Sequence, residues 1–322
     1  LVLPATGTSA LLLLILSIIC FGLWPNIFKL AGNKWRFELF SMDFAVGCVL
    51  FAVLAAYTLG TLGADLGFSD NMLVAGQRAE LMAVLAGVAF AFGNMCFLAA
   101  IALIGQANAS LVTFGVFGAG LSLLGAQTGL SARLTGAFVL LLLTAVLAFL
   151  SARAKRQPPA KVLKGGIMGL LGGLGFLSVL PLIGLAQPDQ LGIGAYGGIL
   201  LAGLGILVAT FSLNFFFLNI SLEGAQVGYG TYFSATWKDH VIGIAGGAVW
   251  TAGALALYAA YTGAVKLTAF ESWLGPFGGA IVAVLTGLLI WQRIPQPAAA
   301  KRMTIMATVL FVIGVGLLIG RP

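Results

Sequence analysis

Read from its first residue, the chain is a succession of apolar runs separated by short polar or charged clusters. The runs fall near 8–29, 39–59, 80–103, 107–128, 133–152, 165–186, 195–219, 239–262, 270–291 and 303–320. Each approaches the roughly 20 residues that an α-helix needs to cross a hydrocarbon core of ~30 Å. No stretch alternates apolar and polar positions as a barrel strand does. The pattern predicts an all-α integral membrane protein of ten transmembrane helices.

Composition agrees. Of 322 residues, 61% are hydrophobic and 8% charged, and the mean hydropathy is +1.10. A soluble domain carries about a quarter charged residues. The basic excess, 16 Lys and Arg against 9 Asp and Glu, is too sparse and scattered to hold nucleic acid. It reads as orientation charge. If the segment between the fifth and sixth runs is cytoplasmic, its side collects Lys29, Lys34, Arg36, Arg153, Lys155, Arg156, Lys161, Lys164, Lys238, Arg293, Lys301 and Arg302. The other side holds Arg78, Arg133, Lys266 and Arg321. That bias predicts a cytoplasmic linker and both termini outside, in the cell (inner) membrane. Cys20, Cys48 and Cys96 lie inside apolar runs without a paired spacing, so they read as packing residues. No metal or cofactor motif stands out. "GIGAYG" at 192–197 matches a dinucleotide-binding spacing, but no strand precedes it.

The basic, proline-containing "ARAKRQPPAK" at 152–161 marks a boundary. It predicts a first five-helix unit over 1–152, a linker over 153–164 and a second unit over 165–322. A slide of 160 positions places Gly87 on Gly247, Gly93 on Gly253, Ala99-Ala100 on Ala259-Ala260, Gly115 on Gly275 and Phe117-Gly118 on Phe277-Gly278. A slide of 156 places Pro25 on Pro181. Five helices is an odd number, so the two units must cross the membrane in opposite senses. Inverted repeats with matched proline interruptions predict a transporter whose site lies between the halves.

The candidate chemistry is amide and aromatic. Glu38, Asp43, Asp239 and Glu271 fall near the starts of apolar runs, and no Arg or Lys sits mid-span, which points to a neutral solute. Asn94, Thr113, Asn214, Trp250 and Tyr258 lie deeper and are the candidate solute contacts. Amides donate and accept together, and aromatic faces suit planar rings. The same amides could equally be interhelical ties. Trp24 and Pro25, in "CFGLWPNIFKL", either anchor a helix end at the interface or line the site; Pro25 is expected to kink or end its helix. Asp43 is the first candidate for carrying a proton, with Glu38 and Asp239 behind it. His240, the single histidine, neighbours Asp239; a proton relay is one reading, and a capping Asp239 beside interfacial Trp237 and Lys238 is the other.

"FGLWPNIFKL", "WRFELFSMDFAVG", "LAGVAFAFGNMCFLAAIALIG" and "NFFFLN" before "GGAVWTAGALALYAAYTGAVKLTAF" resemble the ureide permeases of the drug/metabolite transporter superfamily. Trp24-Pro25 and Gly93-Asn94 are the most specific parts of that resemblance. It implies proton-coupled uptake (symport) of allantoin, uracil or a related nucleobase, with no cofactor, and it favours Trp24 and Pro25 as site residues. The chain departs from the plant members in lacking their long central loop, so it looks like a short bacterial-type relative. A monosaccharide porter of the glucose/ribose type is the alternative, and an integral membrane enzyme a remoter one. One histidine, with no HExxH and no GxSxG, leaves an enzyme little equipment.

Overall fold

The computed structural model describes the whole chain except residue 1 and residues 33–34, 63–66, 126–130, 156, 188–191, 221, 223, 225, 263–272, 292–295 and 321–322. Among the described residues every regular element is helical. The order is α1 (Gly7–Leu30), α2 (Phe37–Tyr57), α3 (Phe68–Val74), α4 (Gln77–Ile104), α5 (Gln106–Gly125), α6 (Ala132–Ala154), α7 (Pro159–Ala186), α8 (Ala195–Phe217), α9 (Tyr229–Phe233), α10 (Trp237–Thr262), α11 (Leu274–Leu289) and α12 (Ala298–Ile319). Nine of the described helices are long and apolar enough to cross a membrane. α11 is apolar but has 16 residues, and the beginning of the run that predicts it lies outside the described residues. Lys34, Arg156, Lys266, Glu271, Arg293 and Arg321 also lie outside them.

Local chemistry sets the helix ends. Thr6 and Ser9 form a reciprocal capping box at the start of α1. Ser131 caps α6 by accepting from the Leu134 N–H at 3.2 Å. Gly105, at φ +83°, makes the break between α4 and α5 that a side chain would resist. Two starts come earlier than hydropathy alone suggests. α7 begins at Pro159 rather than near 165, and α12 at Ala298 rather than near 303. Prolines pre-set the first turn in both places, so the helices carry Lys161, Lys164, Lys301 and Arg302 on their opening turns. Pro25 does not end α1, which runs on to Leu30. Packing on both sides of it, with Trp24 and Asn26 buried, outweighs the lost backbone bond.

The helices pair by glycine. A Cβ on Gly247 of α10 would strike the Phe44 carbonyl of α2, and one on Gly47 of α2 would strike the Ile244 carbonyl of α10. Gly87 of α4 meets the Ala202 carbonyl of α8, and Gly205 of α8 meets the Val84 carbonyl of α4, in the same reciprocal way. In lipid no hydrophobic force drives helices together, so backbone-to-backbone approach of this kind is what holds them. α1 packs on α10 and α11, while α7 packs on α4 and α5. α6 pairs with α12, where Ser151 Oγ donates to the Ala300 carbonyl at 2.8 Å.

Consecutive helices alternate in direction, so the bundle has a linker end and a terminal end. At the linker end Asn26 Oδ1 accepts from Trp291 Nε1 at 2.6 Å and from Gln106 Nε2 at 3.2 Å. Gln106 Nε2 also donates to the Ala283 carbonyl at 2.9 Å, so α1, α5 and α11 are knotted there. At the terminal end the Tyr196 hydroxyl donates to the Val2 carbonyl at 2.8 Å, and Arg133 donates to the Gly320 carbonyl.

Candidate functional site

Between α1, α4, α5, α7, α8, α10 and α11 lies a cavity of about 410 Å³. That is within the range of small-molecule sites. Its rim includes Gln187 just after α7, Tyr261 in the last turn of α10 and Trp273 just before α11, so it faces the terminal end. Its floor is aromatic. Phe90 and Trp250 stack with ring centroids 3.9 Å apart, and Phe176 stacks on Phe90 at 5.4 Å. Beneath them Trp24 meets Phe97 at 5.4 Å and Phe44 at 5.6 Å. The lining is mostly apolar, and no described Asp, Glu, Lys or Arg takes part in it.

Trp24, Trp250 and Tyr258 line this cavity. The Tyr258 hydroxyl donates to the Ile193 carbonyl at 3.2 Å. Pro25, Asn94, Thr113 and Asn214 are not on its wall. Asn94 is buried on α4, and its Oδ1 has no hydrogen-bond partner. Thr113 is fully buried on α5 against Gly169 and Gly172 of α7, and its hydroxyl is also unpartnered. A buried polar atom without a partner is costly, so these two oxygens stand out among the candidate residues. Asn214 is different: its Nδ2 donates to the Glu38 carbonyl at 2.9 Å and ties α8 to α2, leaving Oδ1 open.

The three candidate carboxylates separate by their partners. Glu38 is fully buried and held in two contacts by Arg36, at 2.5 and 3.2 Å. Asp239 reaches back to the N–H and hydroxyl of Thr236, the return half of a capping box at the start of α10. Asp43, on the second turn of α2, is buried and sits in a ring of donors near the linker end. Its Oδ2 accepts from Trp35 Nε1 at 3.1 Å, and its Oδ1 accepts from the Tyr232 hydroxyl at 2.6 Å. His240 Nδ1 lies 2.9 Å from the same Oδ1. Burial, and after it the Asp43 carboxylate, holds the Tyr232 phenol well above its usual range, so Tyr232 stays a donor.

Sequence reasoning missed this ring. It set His240 beside Asp239, its chain neighbour, whereas the fold sets it against a residue 197 positions away. Trp35 and Tyr232 carried no signal at all. The floor residue Phe90 did have one, because it stands 160 positions before Trp250.

No family model matches the chain. Over 108 residues it is 29% identical to ureide permease 4 of Arabidopsis thaliana, a match that spans 32% of this chain and 27% of that protein. A solved crystal structure of a protein superposes with a TM-score of 0.55 at 18% sequence identity, over 97% of this chain and 98% of that one. That likeness is one of fold. The partial match and the apolar helices together fit a multi-pass membrane transporter with a distant, ureide-permease-like relationship.

Proposed function

We propose that this chain is a proton-coupled permease for a small, neutral, nitrogen-rich solute such as allantoin, uracil or a related nucleobase, built as two inverted five-helix repeats. The observation that carries the solute class is the cavity: aromatic, free of described charge, and floored by stacked rings. Planar heterocycles bearing N–H groups match rings and amide acceptors. The proposed site comprises Trp24, Trp250 and Tyr258 on the wall, with Pro25 beside Trp24. Asn94, Thr113 and Asn214, buried and off that wall, complete the proposed set with oxygens that have no partner.

Support for the repeat comes from residues 160 positions apart. Phe90 and Trp250 stack on each other, and Phe117 meets Phe277 at 5.4 Å. Residues on a two-fold axis touch their own counterparts in this manner. The glycine contacts are equally reciprocal, Gly87 with α8 in one half and Gly247 with α2 in the other. Pro25 and Pro181 lie inside α1 and α7, whose neighbours correspond under the same operation. A cavity at one end and a polar knot at the other are what alternating access asks of one of its two states.

Coupling falls to Asp43. The Asp43 side chain joins groups from both halves, Trp35 from the first and Tyr232 and His240 from the second. The test is uptake of labelled uracil and allantoin into proteoliposomes with an imposed pH gradient, beside a binding screen that includes glucose and ribose. Asp43→Asn is expected to lose accumulation and to retain exchange of labelled for unlabelled solute. Accumulation intact in Asp43→Asn removes the residue from the mechanism. Binding of sugars but not heterocycles transfers the site to the monosaccharide reading.

A further inference from the structure

The assignment of coupling to Asp43 leaves open how a proton reaches a carboxylate whose side chain is 2% exposed. We propose that the proton site is the Asp43–His240 pair rather than Asp43 alone, with His240 as the port through which the proton enters and leaves on the linker side. This rests on the proton-coupled reading above and names a second residue for it.

Geometry assigns the roles. An ionised carboxylate can only accept, so at 2.9 Å from Asp43 Oδ1 the Nδ1 of His240 carries the hydrogen. Nε2 is then the free nitrogen, on a side chain that is 25% exposed. A proton arriving from water binds Nε2, and the Nδ1 hydrogen passes to Asp43 Oδ1. The ring is left as its other neutral tautomer, with Nδ1 accepting from the new carboxylic acid. One proton is gained, none is stranded, and the buried pair changes from a net single negative charge to neutral. The ring of His240 is held for this. It stands edge-on to Tyr232 at 4.8 Å and edge-on to Trp35 at 5.2 Å, while Trp35 and Tyr232 stack at 5.9 Å.

Among the described residues, other titratable groups surround this pair. Arg36 and Glu38 pair with one another, and Asp239 is engaged with Thr236. From α10 the remaining neighbour is Lys238, exposed on the first turn, and from α1 it is Lys29 in the last turn. From α9 it is Tyr232, which stays protonated. α4 and α8, the other helices packed on α2, bring no acid or base to Asp43: Glu80 and Arg78 of α4 are in its first turn at the terminal end, and α8 has no charged residue.

His240 is the single histidine of the chain, so selective labelling of histidine with nitrogen-15 gives the signals of this ring alone. In nanodiscs at mildly alkaline pH the full chain should show its ring hydrogen on Nδ1. Asp43→Asn should abolish that preference. A ring that carries its hydrogen on Nε2 in the wild type, or an Asp43→Asn spectrum like the wild type, overturns the pair. The wild-type spectrum decides even if the variant does not fold. A functional arm separates relay from scaffold. His240→Ala should slow proton-driven uptake of labelled uracil by about 100-fold, the lower range for a positioned proton-transfer group. Added imidazole should restore it, and pyrazole, a ring of the same size but far weaker base, should not. Equal effects of the two, or no loss in His240→Ala, overturn the relay. If the wild type takes up neither uracil nor allantoin, the solute reading fails and the spectra still decide the pair.

Discussion

Asn94 and Asn214 are the same side chain in two different situations. Asn214 has given its Nδ2 to the backbone of α2, so its removal loosens a helix contact. Asn94 has a buried acceptor with nothing to accept from. Asn94→Ala should therefore weaken solute binding by roughly five- to 150-fold, equivalent to about 1–3 kcal/mol for one buried hydrogen bond. Asn214→Ala should lower the thermal midpoint as well as weaken binding, because its Nδ2 also ties α8 to α2. Calorimetric titration beside thermal unfolding distinguishes them, and wild-type affinity in both variants would remove the amides from the site. Lys155, just past the end of α6, gives a pH-dependent case. With the Asn108 amide oriented to satisfy its neighbours, Lys155 Nζ donates to its oxygen at 3.1 Å, and burial pushes the amine down to about 8. Below that value the ammonium is charged in the folded and unfolded chain alike, and the cost of burying it is fully present. As pH rises past it the folded chain sheds the proton first, and the cost is relieved. Lys155→Met should raise the thermal midpoint at about pH 7, with the advantage shrinking on the alkaline side of about pH 8.

At the scale of the helix, glycine placement matters more than hydropathy. Gly47 and Gly247 let α2 and α10 approach until backbone meets backbone, and a methyl group on either would collide with a carbonyl that has no room to give. Gly247→Ala should destabilise by roughly 1–3 kcal/mol, the range for overpacking. Gly316→Ala on α12, where nothing lies within 4 Å, should be neutral or stabilise by up to about 1 kcal/mol through helix propensity. Thermal unfolding in one detergent tests the pair, and equal midpoints would mean that the α2–α10 approach does not set stability. This spacing also places the Asp43 ring, since Gly243, one turn before Gly247, lies directly against the Asp43 side chain.

The whole molecule is unlike at its two ends. The cavity belongs to the terminal end, while at the linker end helices are tied by the Asn26–Gln106–Trp291 knot and by the donors around Asp43. Lys29, Arg36, Arg153, Lys155, Lys161, Lys164, Lys238, Lys301 and Arg302 all fall at the linker end. Arg78 and Arg133 fall at the other. By the positive-inside rule the linker should be cytoplasmic and the cavity should face outward. A cysteine at position 158, between α6 and α7, should resist a membrane-impermeant thiol reagent in intact cells and react after permeabilisation. Ready labelling of intact cells would reverse the orientation, and with it the side from which solute enters.

The sequence by itself determined the elements. The apolar run lengths anticipate the nine described spanning helices to within a few residues, apart from the early starts of α7 and α12, because a bilayer demands length and apolarity of each segment separately. The 160-residue register is a pattern of the sequence too, and the inverted repeat read from it belongs to the proposal. Trp250 and Tyr258 were legible as large amphipathic residues at depth, and Trp24 as either an interfacial anchor or a site residue. What only the tertiary structure decided is pairing between elements. Nothing local says that His240 faces Asp43 rather than Asp239, that Asn26 reaches Gln106 and Trp291, or that Asn94 is left without a partner while Asn214 is not. A helix fixes the direction of its own side chains, but what each meets depends on the rotation and depth of its neighbour. Those are set by close glycine contacts that the whole bundle satisfies together.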